Sequence, residues 1–103
     1  MTELEKYIIN QLVQLVPNAD AFEVRANIGD KSYSIEFFAS LDGVKHQCYE
    51  MIDNGIFKEK DFDTIVKQIA EYIRNCPEYH PGEINKFSFV TNSNQLPCRQ
   101  QRK

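Results

Sequence analysis

Phe22-Glu23-Val24-Arg25-Ala26-Asn27-Ile28, followed after Gly29-Asp30 by Tyr33-Ser34-Ile35-Glu36-Phe37-Phe38-Ala39, is the stretch that decides the fold. In a strand, successive side chains point to opposite faces. Phe22, Val24, Ala26 and Ile28 therefore share one face, and Glu23, Arg25 and Asn27 the other. Tyr33, Ile35, Phe37 and Ala39 repeat the alternation, so the stretch reads as two half-buried strands joined by a tight turn at Gly29-Asp30. Glu36 and Phe38 fall on the outward face of the second strand. Asp42-Gly43 is a second hairpin signal, and a third strand is expected from Val44 to Met51, ended by Asp53-Asn54-Gly55.

Both flanks of this meander read as helical. Thr2-Glu3-Leu4-Glu5 has capping-box spacing, with Leu4, Ile8, Leu12 and Leu15 following at helical intervals until Pro17-Asn18. Asp61 is expected to cap a second helix whose stripe is Phe62, Ile65, Val66, Ile69, Ile73 and Cys76, with Pro77 beyond its end. Glu78–Glu83 contains a proline and a glycine, just after Pro77, and reads as a loop; Phe87 and Phe89 mark a fourth strand. The expected fold is α+β in the order α-β-β-β-α-β: a four-stranded, mostly antiparallel sheet with both helices on one face and the other face open. Residues 1–92 form one domain and residues 93–103 a polar, basic tail.

Composition supports a globular domain, with 42% hydrophobic and 26% charged residues in a 103-residue chain. A chain of 12.0 kDa buries roughly 65% of its unfolded surface, enough for one core without disulfide or metal. The net charge is −3, but the last five residues hold three of the twelve basic groups and no acid. Residues 1–98 thus carry 9 basic and 15 acidic residues, a net of −6, which disfavours direct nucleic-acid binding and favours a basic protein partner. Three cysteines at irregular spacing, with no apolar run long enough for a signal peptide or membrane span, suggest free thiols in the cytoplasm and no membrane contact.

Chemical motifs are sparse. His46 and Cys48 would share a strand face and could be imagined as a base and nucleophile, and Cys76 and His80 lie four apart across Pro77. Neither pair supplies the three or four ligands that zinc needs. Glu23 and Glu36 could flank a glycosidic bond, but an open sheet face offers no deep pocket. No phosphate-binding glycine loop or nucleophile elbow is present. The expectation is therefore no catalysis, no cofactor and no metal. The collective feature is acidic: Glu23, Asp30, Glu36, Asp42, Glu50 and Asp53 fall on consecutive expected strands and turns, with Phe38 and Tyr49 among them. Charges around a few aromatic anchors suit a fast-associating interface. The expected partner-binding residues are Glu23, Arg25, Glu36, Phe38, Asp42, Tyr49, Glu50 and Asp53.

The amphipathic first helix, the strands Phe22–Ile28 and Ser32–Ser40, and the helix Phe62–Cys76 followed by Asn85-Lys86-Phe87-Ser88-Phe89 together resemble small bacterial immunity proteins. The likeness is to the YezG-like family and, more broadly, to immunity proteins of contact-dependent growth inhibition. It covers residues 1–92; the Gln95–Lys103 tail has no counterpart in it. The resemblance implies a cytoplasmic antitoxin that binds and blocks one cognate toxin domain, often a basic nuclease. The rival expectation is a non-catalytic adaptor or regulatory subunit of a larger assembly.

Overall fold

A computed structural model describes residues 2–91, in the order α1 (Glu3–Leu15), β1 (Ala21–Ile28), β2 (Tyr33–Leu41), β3 (Val44–Gln47), α2 (Cys48–Asp53), α3 (Glu59–Arg74) and β4 (Asn85–Val90). The expected basic tail and Cys98 lie outside the described residues. The four strands form one sheet in the order β3-β2-β1-β4, with every neighbouring pair antiparallel. The expected α+β architecture is thus the observed one, with one short helix added.

The alternation in β1 and β2 works as the sequence dictates. Phe22, Val24, Ala26 and Ile28 on β1, and Ile35, Phe37 and Ala39 on β2, are buried. Leu4, Ile8, Ile9, Leu12 and Leu15 of α1, and Phe62, Ile65, Val66, Ile69, Ala70 and Ile73 of α3, join the same core. Tyr7 and Tyr72 stack face to face where α1 meets α3, with ring centroids 3.9 Å apart. An aromatic cluster ties sheet to helices: Phe37 lies 5.9 Å from Phe22, and 6.0 Å from both Phe57 and Phe62.

Local signals explain the element ends. The Thr2 hydroxyl accepts from the Glu5 amide, and the Glu5 carboxylate from the Thr2 amide, both at 3.1 Å. The β2–β3 turn places Asp42 and Gly43 at φ values of 52° and 81°. Two positive φ angles in a two-residue loop are the hairpin geometry that Asp-Gly favours. The start of α3 differs from expectation: the helix begins at Glu59, its N-cap is Lys58 without a side-chain cap bond, and Asp61 lies inside the first turn. Glu59 and Asp61 there, and Arg74 in the last turn, complement the helix dipole.

The third strand is shorter than the sequence suggests. It stops at Gln47, and Cys48–Asp53 is helical. Lys45, His46, Gln47 and Cys48 satisfy strand alternation, but Cys48 and Met51, three apart, are both fully buried. That spacing belongs to a helix. Gln47 and Glu50 form a reciprocal cap that starts it.

A polar clasp closes the opposite end. The Arg74 guanidinium donates to the carbonyls of Gly29 (2.9 Å) and Ser32 (3.1 Å) and lies over the Tyr33 ring. The Tyr79 hydroxyl and the Gly82 amide both donate to Asp30. Buried Asn85 donates to the carbonyls of Ile28, His80 and Glu83 and accepts from the His80 amide. No helix among the described residues is long and apolar enough to cross a membrane.

Candidate partner-binding surface

The expected binding residues separate into two places. Glu23, Arg25, Glu36 and Phe38 do share the open sheet face, because Glu23 pairs with Phe38 and Arg25 with Glu36 across β1 and β2. Lys45 and Gln47 join them from β3, opposite Ser40 and Phe38. Yet the acid at the centre is already paired within the sheet. Glu23 is held by Lys45 at 2.6 Å and by Arg25 at 2.8 Å, and its side chain is only 20% exposed. Those two cations also lie over Phe38, with Lys45 Nζ 5.0 Å and the Arg25 guanidinium carbon 5.6 Å from its ring centroid. The hydrogen bonds from Lys45 and Arg25 hold the Glu23 carboxyl below its ordinary value. The centre of the face is therefore a self-neutralised cluster, a correction to the view of it as an acidic surface.

Asp30 is likewise a structural group. Its hydrogen bonds from Tyr79 and then from the Gly82 amide lower its carboxyl pKa. Asp42 stands exposed in the β2–β3 turn.

Tyr49, Glu50 and Asp53 are not on a strand at all; they belong to α2. β3 covers only Phe38–Leu41 of β2, and Cys48 at the start of α2 lies against the backbone of Phe37. The chain thus turns away from the sheet edge and carries Tyr49 out with it. The Tyr49 ring is 53% exposed and rests edge-on against buried Phe62, with centroids 5.7 Å apart. Partial burial, and then nearby groups that include the carboxylates of Glu36, Asp63 and Glu59, push the Tyr49 phenol above its ordinary value. The second influence marks an acidic rim that sequence reading split up. Glu36 comes from β2, Glu59 and Asp63 from α3, and Glu50 and Asp53 from α2. Glu36 is partly committed, accepting from Gln47 Nε2 at 2.9 Å. Glu50 accepts from His46 Nδ1 at 2.8 Å and caps α2, and these bonds lower its pKa.

Glu59 and Asp63 are the residues that sequence reasoning missed. Read as the first turns of a helix, they look like dipole partners; the Tyr49 ring seated on Phe62 of the same helix brings their charges to bear on the phenol. The available signal was the run of acids at 59, 61 and 63 next to an exposed aromatic element.

The imagined His46–Cys48 dyad does not assemble. His46 Nδ1 is joined to Glu50, and burial pushes the fully enclosed Cys48 thiol up. Among the described residues no group of three or more His, Cys, Asp or Glu side chains could hold a metal ion. A groove of about 510 Å³ lies between the end of α1 and the start of α3, floored by Leu15, Phe57 and Ile65.

Comparison of the chain with protein-family models, curated proteins and solved structures finds no match.

Proposed function

We propose that this chain is an immunity protein: a non-catalytic cytoplasmic domain that binds one basic toxin domain, of nuclease type, and blocks it stoichiometrically. The observation that carries the reading is the Tyr49 corner. A half-exposed aromatic ring rests on a buried ring, and the charges of Glu36, Asp63 and Glu59 lie close enough to act on its phenol. Interfaces concentrate binding energy in such anchors, surrounded by polar groups that exclude water. A nuclease cleft built to hold phosphates presents Lys and Arg side chains. The acidic rim attracts and orients that cleft, and Tyr49 then packs between the cations it meets. The net of −6 over residues 1–98 steers the encounter from a distance. The resemblance of the element order to YezG-like and contact-dependent growth inhibition immunity proteins supports the same class.

The test is co-expression. Candidate basic nuclease-type toxin domains are induced in cells with and without this chain, and growth is followed. Growth restored by the wild-type chain and lost with Tyr49→Ala is the expected result. Binding without protection would instead fit an adaptor; no binding at all would remove the proposal.

A further inference from the structure

We propose that β4 is the dimerisation edge of this protein, pairing antiparallel with β4 of a second copy about a two-fold axis at Ser88. Among the described residues β4 is an outer strand, with β1 on one side and no strand on the other. The Thr91 amide donates to the Phe22 carbonyl at 2.8 Å, which sets the phase of the ladder. In an antiparallel pair, residues alternate between bonding toward the neighbour and bonding away from it. Phe89, Phe87 and Asn85 therefore bond toward β1, and the amides and carbonyls of Val90, Ser88 and Lys86 point out of the sheet.

Edge strands are normally protected by proline, a charged side chain, a bulge, an inward charge or shortness. β4 carries a single outward charge, Lys86, and neither proline, bulge nor inward charge. Its sequence, Asn-Lys-Phe-Ser-Phe-Val, lacks proline, and its register with β1 runs unbroken from Asn85 to Val90. The other edge, β3, has only four residues and gives way to a helix.

The strand fits itself. With Ser88 opposite Ser88 of the partner subunit, the outward-bonding residues of the two copies meet in register: Ser88 with its counterpart, and Lys86 with the partner's Val90. Side-chain faces also match. Phe87 meets the partner's Phe89 on the helix side. On the open face, Lys86 lies along Val90, the most exposed large apolar side chain at 70%. No charge faces its own kind, and the smallest side chain sits on the axis. The alternative register, with Phe87 on the axis, would press Phe89 against Asn85, whose side chain is already engaged with Ile28, His80 and Glu83. Phe87 and Phe89 also line a cavity of about 290 Å³ with Leu4 and Ile8 of α1, and the second copy's rings would cover it. A self-complementary patch of this kind is what a two-fold interface requires.

The experiment is analytical ultracentrifugation of the full chain over a concentration series, with three variants. Wild type should show a monomer–dimer equilibrium. Ser88→Pro removes an outward amide, a position where an edge strand tolerates proline, and should give a folded monomer. Val90→Lys places like charges opposite Lys86 and should weaken the dimer about tenfold or more, while Val90→Glu should tighten it. Val90 also neighbours Glu23 within its own sheet, so these two changes should move monomer stability in the opposite order. A wild type that stays monomeric throughout would overturn the proposal. So would a dimer indifferent to Ser88→Pro, or one that Val90→Lys and Val90→Glu affect alike.

Discussion

Replacing Tyr49 by Ala separates binding from folding more sharply than any other single change. The ring makes one aromatic contact, edge-on to Phe62 at 5.7 Å, and half of it is in water. Losing one such pair costs about 0.5–1.5 kcal/mol. A domain of this size has about 5–15 kcal/mol of stability, so the variant stays folded. As the central anchor of an interface, the same ring should contribute about 2 kcal/mol or more, or roughly 30-fold in Kd. Phe62→Ala gives the converse. Phe62 is buried against Phe37, Phe57 and Tyr49, and truncating it should cost about 3–5 kcal/mol of stability, with binding weakened chiefly through the unfolded fraction. Urea unfolding and calorimetry against the cognate toxin domain measure the two quantities on the same samples. A folded Tyr49→Ala protein that binds within about twofold of wild type would refute the assignment of the anchor.

Other consequences are as direct. Glu59→Lys and Asp63→Lys should each slow association and flatten its salt dependence while leaving dissociation nearly unchanged, as stopped-flow mixing would show; these charges are exposed and screened over about 8 Å at physiological salt. Glu23, Asp30 and Glu50 have carboxyls held below their ordinary values of 4.5, 3.8 and 4.5 by hydrogen bonds. Their stabilisation is complete above those values and is lost as pH falls through the lower folded ones, so the urea midpoint should drop on acidification, and Glu23→Gln should make that drop shallower. Arg74→Ala removes two guanidinium bonds that pin the β1–β2 turn; it should cost about 1–2 kcal/mol and speed hydrogen exchange at residues 29–33 first. The fully buried Cys48 thiol should react with a disulfide reagent only as fast as the domain opens, whereas the half-buried Cys76 thiol should react faster.

The sheet was legible because period-two alternation in Phe22–Ile28 and Tyr33–Ala39 is unambiguous, and the Asp42-Gly43 turn could hardly be anything else. The helices were legible from their apolar stripes and the Thr2–Glu5 cap. The stretch from Val44 to Met51 was not. Four residues of alternation fit a strand or the approach to a helix equally well, and only Met51 breaks the pattern. That misreading carried Tyr49, Glu50 and Asp53 onto the wrong surface. The open-face residues were placed correctly, but their charges were misjudged for a different reason. Nothing local in the sequence brings Lys45 across β2 to Glu23; the strand register does. In the same way, Glu59 and Asp63 join Glu36 only through tertiary packing, so an acidic site built from β2, α2 and α3 could not be read from any one segment.

The central claim is that the Tyr49 corner engages a basic toxin domain and silences it. It is tested most directly by titrating the nuclease activity of a toxin domain that the chain protects against with wild-type chain and with the Tyr49→Ala/Glu59→Lys/Asp63→Lys variant. The account predicts activity falling linearly to zero at one equivalent of wild type, and a folded variant that leaves activity largely intact at the same ratio. Activity untouched by excess wild type, or extinguished equally by the variant, would contradict it.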